Sequence, residues 1–96
     1  MAWKVELAEA AAREIDKLDP QVARRILKFL RERVAKLEDP RSIGGALHGS
    51  KFGEFWKYRV GDYRLICFIE DKRLVVLVLR VGNRREVYRI PPGTPF

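Results

Sequence analysis

The chain has 96 residues and carries 20 Lys and Arg against 13 Asp and Glu, a formal net charge of +7. This length suits one modest core, so we expect residues 1–96 to form a single domain with a tail at 91–96. The positive charge favours an anionic partner. No apolar run nears the roughly 20 residues of a spanning helix, and no signal peptide opens the chain. We therefore expect a cytoplasmic protein without a membrane partner.

The chain offers few ligands for a metal, since it has one histidine and one cysteine. These cannot make a tetrahedral zinc site, and no carboxylate cluster has the spacing of a calcium loop, so we expect no metal and no other cofactor. Cys67 lies in an apolar run without a second cysteine to pair with, which predicts an unreactive thiol. His48 lies in a loop, and we assign it no catalytic role.

The first part of the chain predicts one strand followed by two helices. Apolar and charged residues alternate over 2–7, as in a half-buried strand, and from Ala8 the apolar residues recur at helical spacing. Asp19 then suits the N-cap of a second helix and Pro20 its first position. We interpret most of the basic surface of that helix as solvated, and contact with a phosphate backbone or an acidic partner is the alternative. Its apolar stripe consists of Val22, Ile26, Leu27, Leu30, Val34 and Leu37.

An irregular segment is expected between the helices and the strands that follow. Asp39-Pro40 ends the helical pair, and residues 41–53 contain several glycines with no regular period. We interpret this stretch as a loop in which Leu47 reaches the core.

Residues 54–64 predict a β-hairpin around which the rest of the chain is organised. Gly61-Asp62 suits a two-residue type II′ turn, which places Arg59 directly opposite Arg64 and Lys57 diagonal to it. Like charges facing each other across a ladder destabilise the pair, so this face favours a bound polyanion. A solvated, salt-screened strand face is the alternative interpretation.

Two β-rich runs, 63–70 and 73–81, continue from the hairpin as an antiparallel meander with a turn at Asp71-Lys72. Both faces of these strands are apolar, so one can pack on the helices and the other needs cover from a terminus, a loop or a separate protein. The second face shares its side with the basic residues of the hairpin. Its apolar members are Ile66, Phe68, Val75, Leu77 and Leu79.

Gly82-Asn83 is expected to break the meander before a short final strand at 84–90. The predicted fold is therefore α+β, in the order β-α-α-β-β-β, with an antiparallel meander sheet packed on two helices.

The whole chain resembles the RelE toxins of the RelE/ParE superfamily, the toxin halves of bacterial and archaeal toxin–antitoxin pairs. The resemblance is carried by Leu47-His48-Gly49, the run from Trp56 to Arg64, the run from Val81 to Arg85, and Glu86-Val87-Tyr88. It implies a compact sheet backed by two helices, a type II toxin, and metal-free cleavage of messenger RNA in the ribosomal A site. The implied partners are messenger RNA, the ribosome and an acidic, RelB-like antitoxin.

By position, the resemblance also implies a catalytic group and an RNA-binding group. The catalytic residues are Lys57, Arg64, Arg84 and Tyr88, and the RNA-binding residues are Arg59, Arg85 and Lys51. Two positions depart from the family pattern, because Phe55 stands where some members have a second active-site lysine and Asn83 stands where many have a histidine. The identity of the general base and acid is therefore open.

The chemistry can also be argued from the residues themselves. Cleavage of RNA without metal requires loss of a proton from the 2′-hydroxyl, neutralisation of the phosphorane and protonation of the leaving 5′-oxygen. We expect the neighbouring charges of Arg59 and Arg64 to make Lys57 suited to act as a base. Arg64 and Arg84 can bind phosphate oxygens bidentately, whereas Tyr88 can stack on a base, orient the 2′-hydroxyl or be a buried strand residue.

Three functions fit the sequence. The first is an endoribonuclease toxin; the second is a non-catalytic, ParE-like toxin that binds a protein target such as DNA gyrase; the third is a basic nucleic-acid-binding protein. Convergence of the predicted catalytic residues favours the first, because a gyrase inhibitor does not require it. An acidic antitoxin that folds onto the apolar, basic face fits the charge of +7.

Overall fold

The first half of the described chain is a strand followed by helices, as predicted. The computed structural model describes residues 3–47 and 55–83. Strand β1 spans Lys4–Leu7, helix α1 spans Glu9–Asp16 and helix α2 spans Pro20–Lys28. α2 continues into a π-helical segment, Phe29–Arg33, and a 3₁₀ turn, Val34–Lys36, and a second 3₁₀ turn follows at Pro40–Ser42.

The remaining strands build one sheet with β1. They are β2 (Gly45–Ala46), β3 (Phe55–Val60), β4 (Tyr63–Glu70) and β5 (Val75–Asn83). The strand order is β1-β5-β4-β3-β2, with β1 parallel to β5 and every other pair antiparallel. The predicted α+β fold with an antiparallel meander is thereby confirmed.

Local sequence signals account for the start of α2. The Asp19 carboxylate accepts a hydrogen bond of 2.9 Å from the Gln21 N–H, as an N-cap does, and Pro20 occupies the first helical position. Because the cap satisfies one of the free amide groups at the helix start, the predicted boundary between the two helices is confirmed.

The core lies between the helices and one face of the sheet. Ile26, Leu30 and Val34 of the predicted apolar stripe are at most 1% exposed and pack against the sheet. The Tyr58 hydroxyl donates to the Pro40 carbonyl, and burial raises the pKa of this phenol. Cys67 is fully buried, and burial likewise raises the pKa of its thiol, as expected for an unreactive cysteine.

The other face of the sheet is also partly covered. Ile66, Val75 and Leu79 are buried but do not belong to the core cluster on the helix side. On the same face, the rings of Phe55 and Phe68 pack edge to face with centroids 6.2 Å apart. The sheet therefore carries apolar contacts on both sides, as the alternation predicted.

Three local predictions about the strands were wrong. Residues 41–47 are not wholly irregular, because Gly45–Ala46 pairs with β3. Gly82-Asn83 does not break the meander, since both residues continue β5 by pairing with the first two residues of β4. The β4–β5 turn extends to Leu74, which adopts a positive φ of 52°, so that β5 begins at Val75. In each case tertiary pairing overrides a weak local preference.

The predicted strand at 84–90 and the tail at 91–96 lie outside the described residues. Within the part of the chain that is described, no helix is long and apolar enough to cross a membrane.

Candidate functional site

The β3–β4 hairpin brings three of the predicted site residues to one face of the sheet. Gly61 has φ +58°, as the first central position of a type II′ turn requires, and Val60 pairs with Tyr63. The register then sets Arg59 opposite Arg64 and Lys57 opposite Ile66. The predicted cluster of Lys57, Arg59 and Arg64 is therefore a consequence of the turn.

Lys57 lies between β2 and β4, and its side chain is half-buried. It pairs with Gly45 on one side and Ile66 on the other. A Cβ built on Gly45 would lie 3.6 Å from Lys57 Cε, so the stem of the lysine passes over this glycine. The short strand β2, which sequence reasoning missed, thus forms one wall beside the predicted catalytic lysine.

Gly44 determines how closely β2 approaches β3. Its φ is +80°, and a Cβ at this position would overlap the Lys57 carbonyl oxygen and lie 2.8 Å from Trp56 Nε1. Trp56 Nε1 donates a 2.7 Å hydrogen bond to the Ile43 carbonyl at this crossing. Only glycine fits such a backbone conformation at such a distance.

We expect Gly44→Ala to lower the free energy of unfolding by about 3 kcal/mol, because it combines a strained backbone with an overlap against another strand. Gly45→Ala is the matched control and should change it by less than about 1 kcal/mol, since its Cβ would make an ordinary contact. Urea unfolding of the two variants measures the difference. Equal stabilities would contradict the assigned role of Gly44.

Arg64 is held near the hairpin turn. Its Nη1 donates to the Gly61 carbonyl at 3.2 Å and to the Tyr63 carbonyl at 3.1 Å. Neither bond uses Nε or Nη2, the pair of donors with which a guanidinium binds phosphate bidentately. Arg59, directly opposite, is exposed. This end of the face therefore concentrates positive charge around a fixed guanidinium.

Arg80 lies in the same cross-strand row as Lys57 and Ile66, although sequence reasoning did not select it. The β4–β5 register pairs Ile66 with Arg80 but Cys67 with Val78, so Leu79 is an extra residue in a β-bulge. Strict alternation from Val75 would have placed Arg80 on the helix side. Because a bulge depends on the pairing of distant residues, no local sequence signal predicts it.

Glu14 of α1 holds the end of β5. Its carboxylate accepts bonds from Arg80 Nε at 3.0 Å, from Arg80 Nη2 at 3.2 Å and from the Val81 N–H at 3.0 Å. The hydrogen bond to Glu14 raises the pKa of Arg80, which stays charged. Glu14 therefore supplies a hydrogen-bond acceptor to the edge of β5 at Val81, beyond the last residue of β5 that pairs with β1.

We expect Glu14→Ala to lower the free energy of unfolding by about 2 kcal/mol, because it leaves a half-buried guanidinium and a backbone N–H without their acceptor. The control is Glu9→Ala in the same helix, whose ion pair with Arg13 is largely exposed. It should cost less than about 1 kcal/mol. Urea unfolding of both variants distinguishes the two roles, and similar losses would rule out a special role for Glu14.

The other predicted site residues lie outside the described residues. These are the predicted catalytic residues Arg84 and Tyr88 and the predicted RNA-binding residues Arg85 and Lys51. Their positions stay predictions. Asn83, the last described residue before Arg84, pairs with Tyr63, next to Arg64. Across 3–47 and 55–83, no group of three or more His, Cys, Asp or Glu side chains could hold a metal ion.

Known proteins resemble this chain in both sequence and fold. Residues 5–88 match the family described as "ParE toxin of type II toxin-antitoxin system, parDE". The chain is 30% identical over 89 residues to "Toxin RelG" of Mycobacterium tuberculosis, an alignment that covers 93% of this chain and 99% of RelG. This chain is a RelE-type toxin of the RelE/ParE superfamily.

Two further comparisons support the assignment to RelE-type toxins. The chain is 36% identical over 90 residues to "mRNA interferase toxin RelE" of Escherichia coli, with 92% of each protein covered. A chain in the crystal structure of the toxin–antitoxin complex RelBE2 from M. tuberculosis superposes with a TM-score of 0.78 at 26% identity, covering 88% of this chain and 100% of the other. The fold of this RelE-type toxin is therefore that of its relatives.

Proposed function

We propose that this RelE-type toxin is an endoribonuclease that cleaves messenger RNA in the ribosomal A site and so stops translation. The observation that carries the proposal is the convergence of Lys57, Arg59 and Arg64 on one face of the hairpin. A phosphodiester in its transition state gains negative charge, and fixed cations stabilise that charge more than they stabilise the substrate. The E. coli relative is named an mRNA interferase, which supports the same activity.

In the proposed mechanism, the 2′-hydroxyl attacks the adjacent phosphorus. The new 2′-O–P bond forms as the P–O5′ bond breaks, so the products are a 2′,3′-cyclic phosphate and a free 5′-hydroxyl. We assign Lys57 to accept the 2′-hydroxyl proton and Arg64 to bind the non-bridging phosphate oxygens. A proton must also reach the leaving 5′-oxygen. The roles of Arg84 and Tyr88 rest on the family resemblance alone.

The proposed partner in the resting cell is an acidic, RelB-like antitoxin. The crystal structure of the M. tuberculosis relative is that of a toxin–antitoxin complex, which supports a protein inhibitor here. A net charge of +7 favours an acidic segment and makes its association faster at low salt. Binding over Arg64 would prevent RNA from reaching the same guanidinium.

A second candidate function is inhibition of a protein target such as DNA gyrase. The description of the matching family as ParE toxins favours it. The cluster of cations on the hairpin argues against it, because a non-catalytic inhibitor does not require several cations to meet around one phosphate.

Mapping the 5′ ends of messenger RNA after a brief pulse of expression separates the two functions. For the nuclease we expect new 5′-hydroxyl ends within translated frames, and these ends should disappear when initiation is blocked before the pulse. Loss of DNA supercoiling without new RNA ends would support the gyrase target. New ends that persist without translation would indicate a nuclease that acts off the ribosome.

A further inference from the structure

A basic groove lies on the helix side of the hairpin turn, separate from the strand face that carries Lys57. Its volume is about 460 Å³, and its walls come from α2, the π-helical segment and the last residues of β3. We call it the helix-side groove. The charged residues that line it are Arg25, Lys28, Glu32, Arg33 and Arg59.

The charge of the helix-side groove is strongly unbalanced. The helical part of the wall supplies three cations, Arg25, Lys28 and Arg33, against the single carboxylate of Glu32, which is 3.9 Å from Lys28 Nζ. Within the described ranges, no carboxylate forms an ion pair with Arg25, Arg33 or Arg59. Like charges that line one groove repel one another, so the groove is suited to a bound anion.

The π-helical segment helps to shape the groove. Residues Phe29–Arg33 interrupt α2 after Lys28, and this segment supplies Glu32 and Arg33 to the wall. A π-helical turn is rare because it departs from the favoured helical hydrogen bonding, and it is frequently found at functional sites. The π-helical segment is therefore a second, independent observation at the same place as the cations of the helix-side groove.

The groove and the candidate catalytic face lie next to each other at the hairpin turn. A Cβ built on Gly61 would lie 3.3 Å from Arg25 Nη1, so the guanidinium of Arg25 packs against the turn. Arg64 Nη1 is bonded to the carbonyl of the same glycine. Arg59 lines the groove and also stands opposite Arg64. A chain of phosphates could therefore meet cations on both sides of the turn.

The lining favours a nucleic-acid backbone over a protein segment. Protein interfaces depend on apolar or aromatic anchors that become buried. Here the Phe29 ring packs edge to face against Tyr58, with centroids 5.9 Å apart, and Val60 is only 7% exposed. These two side chains are thus already used by the core. The groove instead presents several separate cations, and a phosphate backbone binds to cations arranged in this way.

We propose that the helix-side groove binds phosphates of the RNA chain beyond the nucleotide that is cleaved. The proposal rests on RNA being the substrate and adds a second contact region that contributes affinity, not chemistry. RNA long enough to extend past the hairpin turn should bind more tightly because of the groove. RNA that reaches only Lys57 and Arg64 should not.

The test compares two triple variants with the same loss of charge. The groove triple combines Arg25→Ala, Lys28→Ala and Arg33→Ala. The control triple combines Arg24→Ala, Arg31→Ala and Lys36→Ala, which replaces exposed cations of the same helical region that do not line the groove. The probe is a fluorescent 20-nucleotide 2′-O-methyl oligouridine, which cannot be cleaved through a 2′-hydroxyl.

Anisotropy titrations at several salt concentrations measure the affinity. We expect the groove triple to bind roughly tenfold to a hundredfold more weakly at 0.1 M salt, with a slope of log affinity against log salt that is smaller by about 2, as expected for three lost phosphate contacts. The control triple should stay within about threefold of the parent, since distant exposed charges are screened. Equal losses in the two triples would overturn the proposal.

Two further measurements distinguish failure of the groove proposal from failure of the proposed nuclease and from binding of a protein ligand. On purified ribosomes, the groove triple should cleave a short messenger RNA that ends within the A-site codon at the rate of the parent. Failure of the parent itself to cleave ribosome-bound RNA would count against the proposed nuclease but not against the groove. Weaker binding of a coexpressed acidic antitoxin with unchanged RNA affinity would overturn the groove proposal in favour of a protein ligand. The single variants Lys28→Gln and Arg33→Gln provide the same comparison if the triple variant does not fold.

Discussion

Arg64→Ala should lower the rate of RNA cleavage by roughly a hundredfold or more while the protein stays folded, as expected when one fixed donor to a transition-state oxygen is lost. Arg64 lies opposite Arg59, and its two hydrogen bonds to turn carbonyls position the guanidinium. Losing those bonds should cost only about 1 kcal/mol of unfolding free energy. Single-turnover cleavage and urea unfolding measure the two effects.

Two control variants define what Arg64 contributes. Arg64→Lys keeps the charge but loses the planar pair of donors, so it should recover only part of the rate. Arg24→Ala removes an exposed arginine of α2 and should leave cleavage nearly unchanged. Full activity of the Arg64→Ala variant would exclude Arg64 from the catalytic site. Equal activity of Arg64→Lys and the parent would show that charge alone is sufficient.

A 2′-deoxy substitution at the cleaved nucleotide should abolish cleavage, because the proposed nucleophile is the 2′-hydroxyl of the substrate itself. The same substrate should still bind, since the phosphates that we assign to Arg59 and Arg64 are unchanged by the 2′-deoxy substitution. Cleavage of the matched all-RNA substrate should leave a 2′,3′-cyclic phosphate and a free 5′-hydroxyl. Mass spectrometry of the products and anisotropy of the deoxy substrate measure both results.

The choice between a substrate nucleophile and an activated water depends on the combined outcome. Normal cleavage of the 2′-deoxy substrate would exclude attack by the 2′-hydroxyl. Products with a 3′-hydroxyl and a 5′-phosphate, and no 2′,3′-cyclic phosphate, would indicate attack by a metal-activated water instead. A substrate with the 2′-deoxy group two nucleotides away serves as the control and should be cleaved at the normal rate.

The site could be predicted from the sequence where its geometry is local. A two-residue turn at Gly61 and strict alternation are enough to bring Lys57, Arg59 and Arg64 to one face, and the register confirms that arrangement. The cap at Asp19 and the apolar stripe through Ile26 are likewise local patterns. In each case the signal lies within a few residues of the feature that it predicts.

Features of the site that depend on distant partners were not predictable in this way. Leu79 forms a bulge where the register between β4 and β5 shifts, and the bulge brings Arg80 into the row of Lys57. Glu14 binds Arg80 across 66 positions of sequence. Alternation along one strand contains no information about either partner.

The sequence by itself determined the α+β class, the helix boundary at Asp19, the hairpin and the three cations on its face, because capping, turn geometry and strand period act over a few residues. Only the tertiary structure decided that β1 is parallel to β5, that β2 packs on β3 through Gly44, and that Arg25 contacts the turn beside Arg59. These contacts join residues far apart in the chain, and it is packing that selects them from many alternatives of similar local propensity.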